Sequence, residues 1–283
     1  MAKGISVNIG INSVDPVHYN GWDGRLRACE QDARDMQAIA AAKGFDTKLI
    51  LTKDATAEVV SNAIRDAGEQ LQKGDIFFLT YSGHGGQVPD TNSDEAADEE
   101  GGPMDETWVL YDRQLVDDEL YSFWGALRPG VRVFVLSDSC HSGSVTRDIF
   151  DAAVPKIVEK GMIDDDSPRT KDLPPEVQDA TVRNNEQLYE QIQRSNPDED
   201  DVDVKATVLL ISGCQDCQLS LDGSRNGLFT QQLLNVWDKG RFRGSYRRFW
   251  RAIGKKMPPT QTPNFYPVGA ANRAFDRQTP LTI

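Results

Sequence analysis

Short apolar runs alternate along the chain with longer segments whose apolar residues recur every three or four positions. Strands buried on both faces give such continuous runs, and the longer segments have the period of amphipathic helices. The strands predicted are Ile5–Ile11, Asp46–Leu51, Asp75–Tyr81, Thr107–Tyr111, Val131–Ser137 and Ala206–Ser212. The helices predicted are Leu26–Lys43, Ala55–Lys73, Asp117–Leu127, Leu228–Trp237 and Tyr246–Lys256. This alternation predicts an α/β fold with a mainly parallel central sheet sandwiched between helices.

Two polar stretches interrupt the alternation. Residues 94–106 carry seven acidic side chains, and residues 150–205 are polar and contain five prolines. Such composition is typical of loops and insertions. We therefore divide the chain into a larger part at 1–150, a linker or insertion at 151–205 and a smaller part at 206–283, together forming one domain.

Charge and composition narrow the possible functions. The 283 residues carry a formal net charge of −13, which argues against a nucleic-acid partner and favours cationic ones. No apolar run approaches the roughly 18–20 residues that cross a bilayer, and the first residues lack the apolar segment of a signal peptide. Four cysteines are too few for a disulfide scaffold, so we expect a soluble, cytoplasmic protein. The basic and aromatic stretch at 241–251 is interpreted as an amphipathic helix with its aromatic residues packed inward.

A histidine and a cysteine each follow a buried strand. His84 stands in Ser-Gly-His-Gly-Gly, and Cys140 stands in Asp-Ser-Cys-His-Ser-Gly. The carboxyl ends of parallel strands meet at one edge of a sheet, where the sites of such folds form. A thiol and an imidazole within reach of each other there can form a nucleophilic pair. His141 would point away from the neighbouring thiol on an extended segment, and His18 has no partner pattern, so His84 is the predicted base.

The same periodicity predicts an acidic pocket beside the cysteine. Asp138 lies two residues before Cys140, so the two share one side of an extended segment, and Ser82 stands in the same relation to His84. On the first helix, Cys29 and Asp32 are three residues apart and share a face. The two carboxylates can then converge with the Ser82 hydroxyl beside the nucleophile. Such a pocket selects the cationic side chain of Arg or Lys.

Four segments together resemble the metacaspases, and specifically the compact type I and prokaryotic (orthocaspase) members of the caspase-like clan of cysteine peptidases. Residues 26–33, Leu-Arg-Ala-Cys-Glu-Gln-Asp-Ala, are similar to the first-helix motif of that family. Residues 81–86 and 138–144 resemble its histidine and cysteine motifs, and residues 211–220 with 226–230 resemble the start of its small-subunit region. The likeness extends over about residues 5–240.

The resemblance implies a caspase-like fold and a cysteine endopeptidase that cleaves after Arg or Lys through a thioester intermediate. It implies Cys140 as nucleophile, His84 as general base and then acid, and the N–H groups of Cys140 and Gly85 as the oxyanion hole. It further implies that Asp32 and Asp138 form the basic-residue pocket, with Ser82 and Cys29 beside them. The substrates implied are proteins or peptides with Arg or Lys before the cut. A monomer that requires no organic or redox cofactor is also implied.

Many metacaspases bind calcium through carboxylates, which suit this ion as hard oxygen ligands. Asp117 and Asp118 resemble the paired aspartates of the family, and Asp98 or Glu99 could contribute from the acidic loop. The family usually has an aspartate seven residues after the nucleophile, where this chain has Arg147. The alternative role for Asp117 and Asp118 is to stabilise a helix N-terminus. Calcium is therefore a possible cofactor.

Self-cleavage is a second expectation, because an Arg/Lys-specific peptidase can cut its own linker. The candidate sites are Arg147, Lys156, Lys160, Arg169, Lys171, Arg183, Arg194 and Lys205. Two alternatives to the peptidase stay open: a catalytically latent caspase-like scaffold, and a relative specific for Asp. Two pocket carboxylates would repel an Asp side chain, which opposes the second alternative.

Overall fold

The structure is a computed structural model, and it describes residues 2–90, 104–140, 147–163, 168–197, 201–215 and 218–283. Its strands are β1 (Gly4–Gly10), β2 (Asp46–Leu51), β3 (Ile76–Ser82), β4 (Gly85–Pro89), β5 (Met104–Val109), β6 (Gln114–Val116), β7 (Arg132–Asp138), β8 (Arg169–Thr170), β9 (Thr207–Ser212), β10 (Leu221–Asp222) and β11 (Asn264–Gly269). Its α-helices are α1 (Cys29–Ala42), α2 (Ala57–Gln70), α3 (Asp117–Gly125), α4 (Arg147–Glu159), α5 (Pro175–Asn184), α6 (Glu186–Ser195), α7 (Leu228–Trp237), α8 (Tyr246–Gly254) and α9 (Arg273–Arg277).

Within the described residues, the central sheet has six strands in the order β11-β9-β7-β3-β1-β2. Five of them run parallel, and β11 pairs antiparallel with β9 at one edge. The predicted mainly parallel α/β sheet is therefore confirmed, and the antiparallel edge strand is an addition from the carboxyl-terminal region. Each predicted core strand and helix is present within a few residues of its predicted bounds.

The inner strand β3 is buried on both faces, which explains why most of its residues are apolar. Along β3, Phe77 and Leu79 enter one hydrophobic core, while Ile76 and Phe78 enter the other. Helices α2 and α3 cover the first face, and α1, α7 and α8 cover the second. Alternate residues of a strand point to opposite faces, so a strand between two helical layers needs apolar residues on both of its faces.

The segment predicted as a linker or insertion is folded in its described part. Strand β8 pairs antiparallel with β10. Helices α5 and α6 pack on a small antiparallel sheet of β4, β5 and β6, with Val88, Val116 and Tyr189 buried between them. Tyr189 anchors α6, because its hydroxyl oxygen lies 2.8 Å from the His18 Nε2 and accepts the N–H of Gln114 at 3.3 Å. The linker residues are thereby held close to the carboxyl edge of the central sheet.

In the described part of the chain, no helix combines the length and the apolar character that a membrane crossing requires.

Candidate active site

Strands β3 and β7 are neighbours in the sheet and end at the same edge. Their final residues, Ser82 and Asp138, are paired in register, and both are buried. His84 follows Ser82 by two residues, and Cys140 follows Asp138 by two residues. The two strands therefore bring the predicted base and nucleophile to the same edge of the sheet. Both side chains are buried.

The first carboxylate of the pocket comes from α1. Asp32 is buried, and its Oδ2 accepts the Ser82 hydroxyl at 2.8 Å. Its Oδ1 accepts the side-chain amide of Asn226 at 3.0 Å and the Gly227 N–H at 3.1 Å. Burial raises the pKa of Asp32 to about 6, and the Lys171 ammonium opposes that rise. A cation beside Asp32 therefore stabilises the charged form of its carboxylate.

The second carboxylate is Asp138. Its Oδ1 accepts the Ser220 hydroxyl at 2.7 Å, and its Oδ2 accepts the Thr230 hydroxyl at 2.7 Å. These bonds fix the carboxylate while leaving it aimed at the space in front of Asp32. The pair forms the acidic pocket that the periodicity predicted.

A lysine of the linker fills this pocket. The Lys171 Nζ lies 3.2 Å from an oxygen of Asp32 and 3.1 Å from an oxygen of Asp138, and it donates to the Ser82 hydroxyl at 3.0 Å. Lys171 is fully buried. Burial alone would lower its pKa, but the surrounding negative charges, Asp138 foremost, raise that pKa well above its usual value. The ammonium is therefore held charged inside the protein.

The main chain of Lys171 is bound as closely as its side chain. Its carbonyl oxygen accepts the N–H of Gly85 at 3.0 Å and the N–H of Cys140 at 3.2 Å. These are the two donors that the resemblance assigned to an oxyanion hole. Its own N–H donates to the Ser220 carbonyl at 2.9 Å.

The residues on both sides of Lys171 extend these contacts. Before it, Thr170 and Arg169 pair with β10 as the two-residue strand β8. After it, the N–H of Leu173 donates to the Gly85 carbonyl at 2.8 Å. Residues 169–173 therefore lie across the site in extended form, with the peptide bond between Lys171 and Asp172 at its centre.

Gly85 must be a glycine for this arrangement. A Cβ at this position would lie 1.7 Å from the carbonyl oxygen of Cys140 and 2.6 Å from its carbonyl carbon. Only a residue without a side chain lets the backbones after β3 and β7 approach this closely. The Gly-Gly pair after His84 is the sequence signal of that approach.

The His84 ring is oriented by groups from an earlier loop. Its Nε2 lies 3.0 Å from the carbonyl oxygen of Gly24, and the Trp22 ring packs at a centroid distance of 4.7 Å. A carbonyl can only accept, so Nε2 carries the proton of the neutral ring and Nδ1 is left as the basic nitrogen. Nδ1 is buried and has no hydrogen-bond partner among the described residues. Burial lowers the pKa of His84 to about 4, so the ring is neutral at physiological pH.

The cysteines differ in their surroundings. The Cys140 Sγ accepts the N–H of Ser220, which belongs to the loop that also binds Lys171. Cys29 is buried in the pocket wall, where its Sγ donates to Asp222 at 3.8 Å and burial raises the pKa of its thiol well above the usual value. Cys214 donates to the carbonyl of Ser139 at 3.2 Å. Cys217 and His141 lie outside the described residues.

The predicted calcium ligands lie away from this pocket, at the start of α3. Burial raises the pKa of Asp117 well above its usual value, and the negative charges of Asp105, Glu106 and Asp118 raise it further. Glu99 and Asp98 lie outside the described residues. Within the described ranges, no three acidic, histidine or cysteine side chains converge as a metal site would require. The carboxylate chemistry suits calcium, but these side chains alone do not form a ligand set.

Several residues of the site were not predicted. Ser220, Asn226 and Thr230 hold the two pocket carboxylates, and a Cβ at Gly227 would lie 2.4 Å from the Lys171 Nζ. The spacing of residues along the sequence does not reveal them, because these residues follow β9 and reach the pocket only through the tertiary fold. The Gly24 carbonyl is a backbone group, so no residue type signals it.

The comparisons with known proteins concern the family and the fold. A sequence profile of the caspase domain matches residues 9–275. Metacaspase-1A of Neurospora crassa is 36% identical over 142 residues, which are 46% of this chain and 31% of that protein. Metacaspase-4 of Arabidopsis thaliana is 33% identical over 150 residues, which are 50% of this chain and 34% of that protein. The matched region is thus about a third of the length of these curated relatives.

Two solved structures extend the comparison to the whole fold. A protein of Geobacter sulfurreducens is 48% identical, with a TM-score of 0.86 and 99% of each chain covered. Caspase-1 from Spodoptera frugiperda has a TM-score of 0.55 at 11% identity, covering 95% of this chain and 86% of that one, which is a likeness of fold. The chain therefore belongs to the caspase-domain family of cysteine peptidases and is metacaspase-like.

Proposed function

We propose that the chain is a cysteine endopeptidase that cleaves peptide bonds after Lys or Arg. The observation that supports this most is the binding of Lys171. Its ammonium lies between Asp32 and Asp138, while its carbonyl oxygen accepts the N–H groups of Gly85 and Cys140. A substrate lysine bound in this way presents its carbonyl carbon beside the residue that carries the thiol.

The chemistry follows from these contacts. His84 takes the thiol proton of Cys140 at Nδ1, while Nε2 stays bonded to the Gly24 carbonyl. The thiolate attacks the carbonyl carbon, and the oxygen, now negative, accepts the same two N–H groups that hold the carbonyl of Lys171. Fixed backbone donors of this kind stabilise the charge without reorganising. His84 then protonates the leaving amine as the C–N bond breaks, and water hydrolyses the thioester.

The pocket favours a basic side chain for electrostatic reasons. Asp32 and Asp138 are buried and face one cation, so an Asp side chain in its place would bring three carboxylates together. This supports Lys or Arg, rather than Asp, as the residue before the cut.

The resident lysine has two consequences for the intact chain. The bond between Lys171 and Asp172 is the self-cleavage site that we propose, since the other candidate basic residues whose side chains are described are exposed. While Lys171 holds residues 169–173 in the site, this segment also excludes other peptides. A latent chain of low activity is thus the alternative function that this same observation favours.

Hydrolysis of fluorogenic peptides that end in Arg, Lys or Asp tests the proposal. We expect the Arg and Lys peptides to be cleaved by the incubated chain and by Lys171→Ala, whose pocket lacks its resident ammonium. Cys140→Ala should cleave neither. Cleavage of the Asp peptide alone would exclude the proposed pocket, and no cleavage by either active form would favour the scaffold. Calcium and chelator arms test calcium as a possible cofactor, for which the cluster of negative charges near Asp117 is the supporting observation.

A further inference from the structure

The residue two positions after the proposed cut is buried in an apolar environment. Leu173 is only 3% exposed and belongs to the same hydrophobic cluster as Trp108 and Leu110. A Cβ on Gly86 would lie 2.6 Å from the Gln114 Oε1 and 3.1 Å from the Leu173 Cδ2, so the missing side chain at Gly86 makes room for this amide and for the leucine. The second glycine after His84 is therefore part of a recess that holds an apolar side chain.

The backbone fixes which residue enters that recess. Gly85 donates to the carbonyl of Lys171 and accepts from the N–H of Leu173. One residue thus holds the chain on both sides of the Lys171–Asp172 bond. With the lysine in the acidic pocket, the side chain two positions later is brought to the recess beside Gly86.

The residue between them is held differently. Asp172 is 9% exposed, and its Oδ1 has no hydrogen-bond partner among the residues described. Its negative charge acts on the His84 ring, where it opposes the lowering of the pKa of His84 by burial. The apolar contacts after the cut therefore belong to the leucine.

We infer that the recess at Gly86 is a second specificity subsite, which binds a leucine-sized apolar side chain two residues after the cleaved bond. This inference rests on the proposed peptidase function and adds a requirement on the leaving side of the substrate. The substrates then carry a basic residue before the cleaved bond and an apolar residue at the second position after it. Because the leucine side chain would be completely buried, we expect kcat/KM for a substrate with leucine at this position to be about tenfold or more above that for a substrate with alanine.

The test uses the full-length chain carrying Lys171→Ala, and quenched peptides with the sequence of residues 168–175, Pro-Arg-Thr-Lys-Asp-Leu-Pro-Pro. Three peptides differ only at the leucine, which is kept or replaced by alanine or aspartate. A fourth has alanine for the last proline, which corresponds to the exposed Pro175. We expect the leucine and fourth peptides to be cleaved equally fast, the alanine peptide about tenfold slower, and the aspartate peptide slower still.

A second enzyme form, Lys171→Ala with Leu173→Ala, removes the resident leucine and should raise cleavage of the leucine peptide without changing the order. Equal rates for leucine, alanine and aspartate peptides would overturn the subsite while leaving the peptidase standing. Cleavage of none of them, together with no cleavage of the fluorogenic Lys and Arg peptides, would instead reject the proposed function.

Discussion

At the scale of single residues, Lys171 ties the stability of the protein to its proposed chemistry. Its ammonium lies within 3.2 Å of both pocket carboxylates and is fully buried. Removing one partner of a buried ion pair leaves the others uncompensated, which costs far more than losing a pair at the surface. The lysine thus stabilises the intact fold through contacts that a substrate would have to replace.

The substitution Lys171→Met, made in a Cys140→Ala background to prevent self-cleavage, leaves Asp32 and Asp138 facing each other without a cation. We expect the free energy of unfolding in urea to fall by about 3–5 kcal/mol. The matched control is Lys205→Met, which removes an exposed pair with Asp203 at 3.5 Å and should change it by less than about 1 kcal/mol. Equal effects of the two substitutions would show that the buried cation is not a structural element.

The substitution Gly85→Ala places a Cβ 1.7 Å from the carbonyl oxygen of Cys140 and so pushes apart the two N–H donors. We expect kcat on a Lys peptide to fall by about 10²–10³-fold, which is the usual cost of losing an oxyanion donor. Gly254→Ala is the control, because a Cβ there meets no atom within 4 Å, and it should retain full activity. An active Gly85→Ala enzyme would argue against the proposed oxyanion hole.

Burial of His84 also predicts how stability depends on pH. Its pKa falls from the ordinary 6.5 to about 4 in the folded chain, so between these values the unfolded chain binds a proton that the folded chain does not. Stability must therefore fall as the pH drops through this window. Urea unfolding of Cys140→Ala and of Cys140→Ala with His84→Asn should be measured at pH 7 and pH 4.5. The free energy of unfolding should fall between these pH values by about 2 kcal/mol more in the chain that keeps His84. An identical pH dependence would contradict a buried, neutral His84.

At the scale of elements, the site is made by the ends of strands. The register of β3 against β7 pairs Ser82 with Asp138 and so brings the histidine and cysteine motifs together. The position of these two motifs could be predicted because buried parallel strands appear in the sequence as continuous apolar runs. Residues that follow two such strands at the same short distance lie close together at the edge of the sheet. The parts that could not be predicted depend on contacts between distant segments.

The linker shows this limit most clearly. Lys171 is one of several basic residues in a polar segment, and nothing in its spacing marks it as the residue that enters the pocket. Its placement depends on β8 pairing with β10 and on α5 and α6 packing against a small sheet that was not predicted. Of that sheet, the apolar pattern indicated only Thr107–Tyr111, because β4 is too short and too rich in glycine to give a strand signal.

The anchor of α6 provides a test at this scale. Tyr189→Phe removes a buried hydroxyl that lies 2.8 Å from the His18 Nε2 and accepts the Gln114 N–H. Leaving buried partners unsatisfied should lower the free energy of unfolding of the Cys140→Ala chain by about 1–3 kcal/mol. Leu188→Ala, at the exposed neighbouring position, should leave it nearly unchanged. If Tyr189→Phe proves as mild as Leu188→Ala, the contact does not hold the helix.

At the scale of the whole molecule, the fold combines an acidic protein with a basic segment bound inside its site. The net charge of −13 would attract the proposed cationic substrates over long range, and the resident Lys171 would compete with them for the same pocket. Cleavage of the bond after Lys171 would separate residues 169–171 from residues 172–173, so that the two sides of the segment are no longer held together by a peptide bond. The proposed activity of the chain and its proposed self-cleavage would thereby be coupled through one peptide bond.

The most direct test of this account is intact-mass spectrometry of the full chain after incubation at neutral pH, with and without calcium. We predict two fragments that correspond to residues 1–171 and 172–283, formed by the unmodified chain and not by Cys140→Ala. The Lys171→Ala chain should not be cut at this bond, whereas Lys171→Arg should be. Formation of the same fragments by Cys140→Ala, or cuts at other basic residues with the bond after Lys171 left intact, would contradict the account.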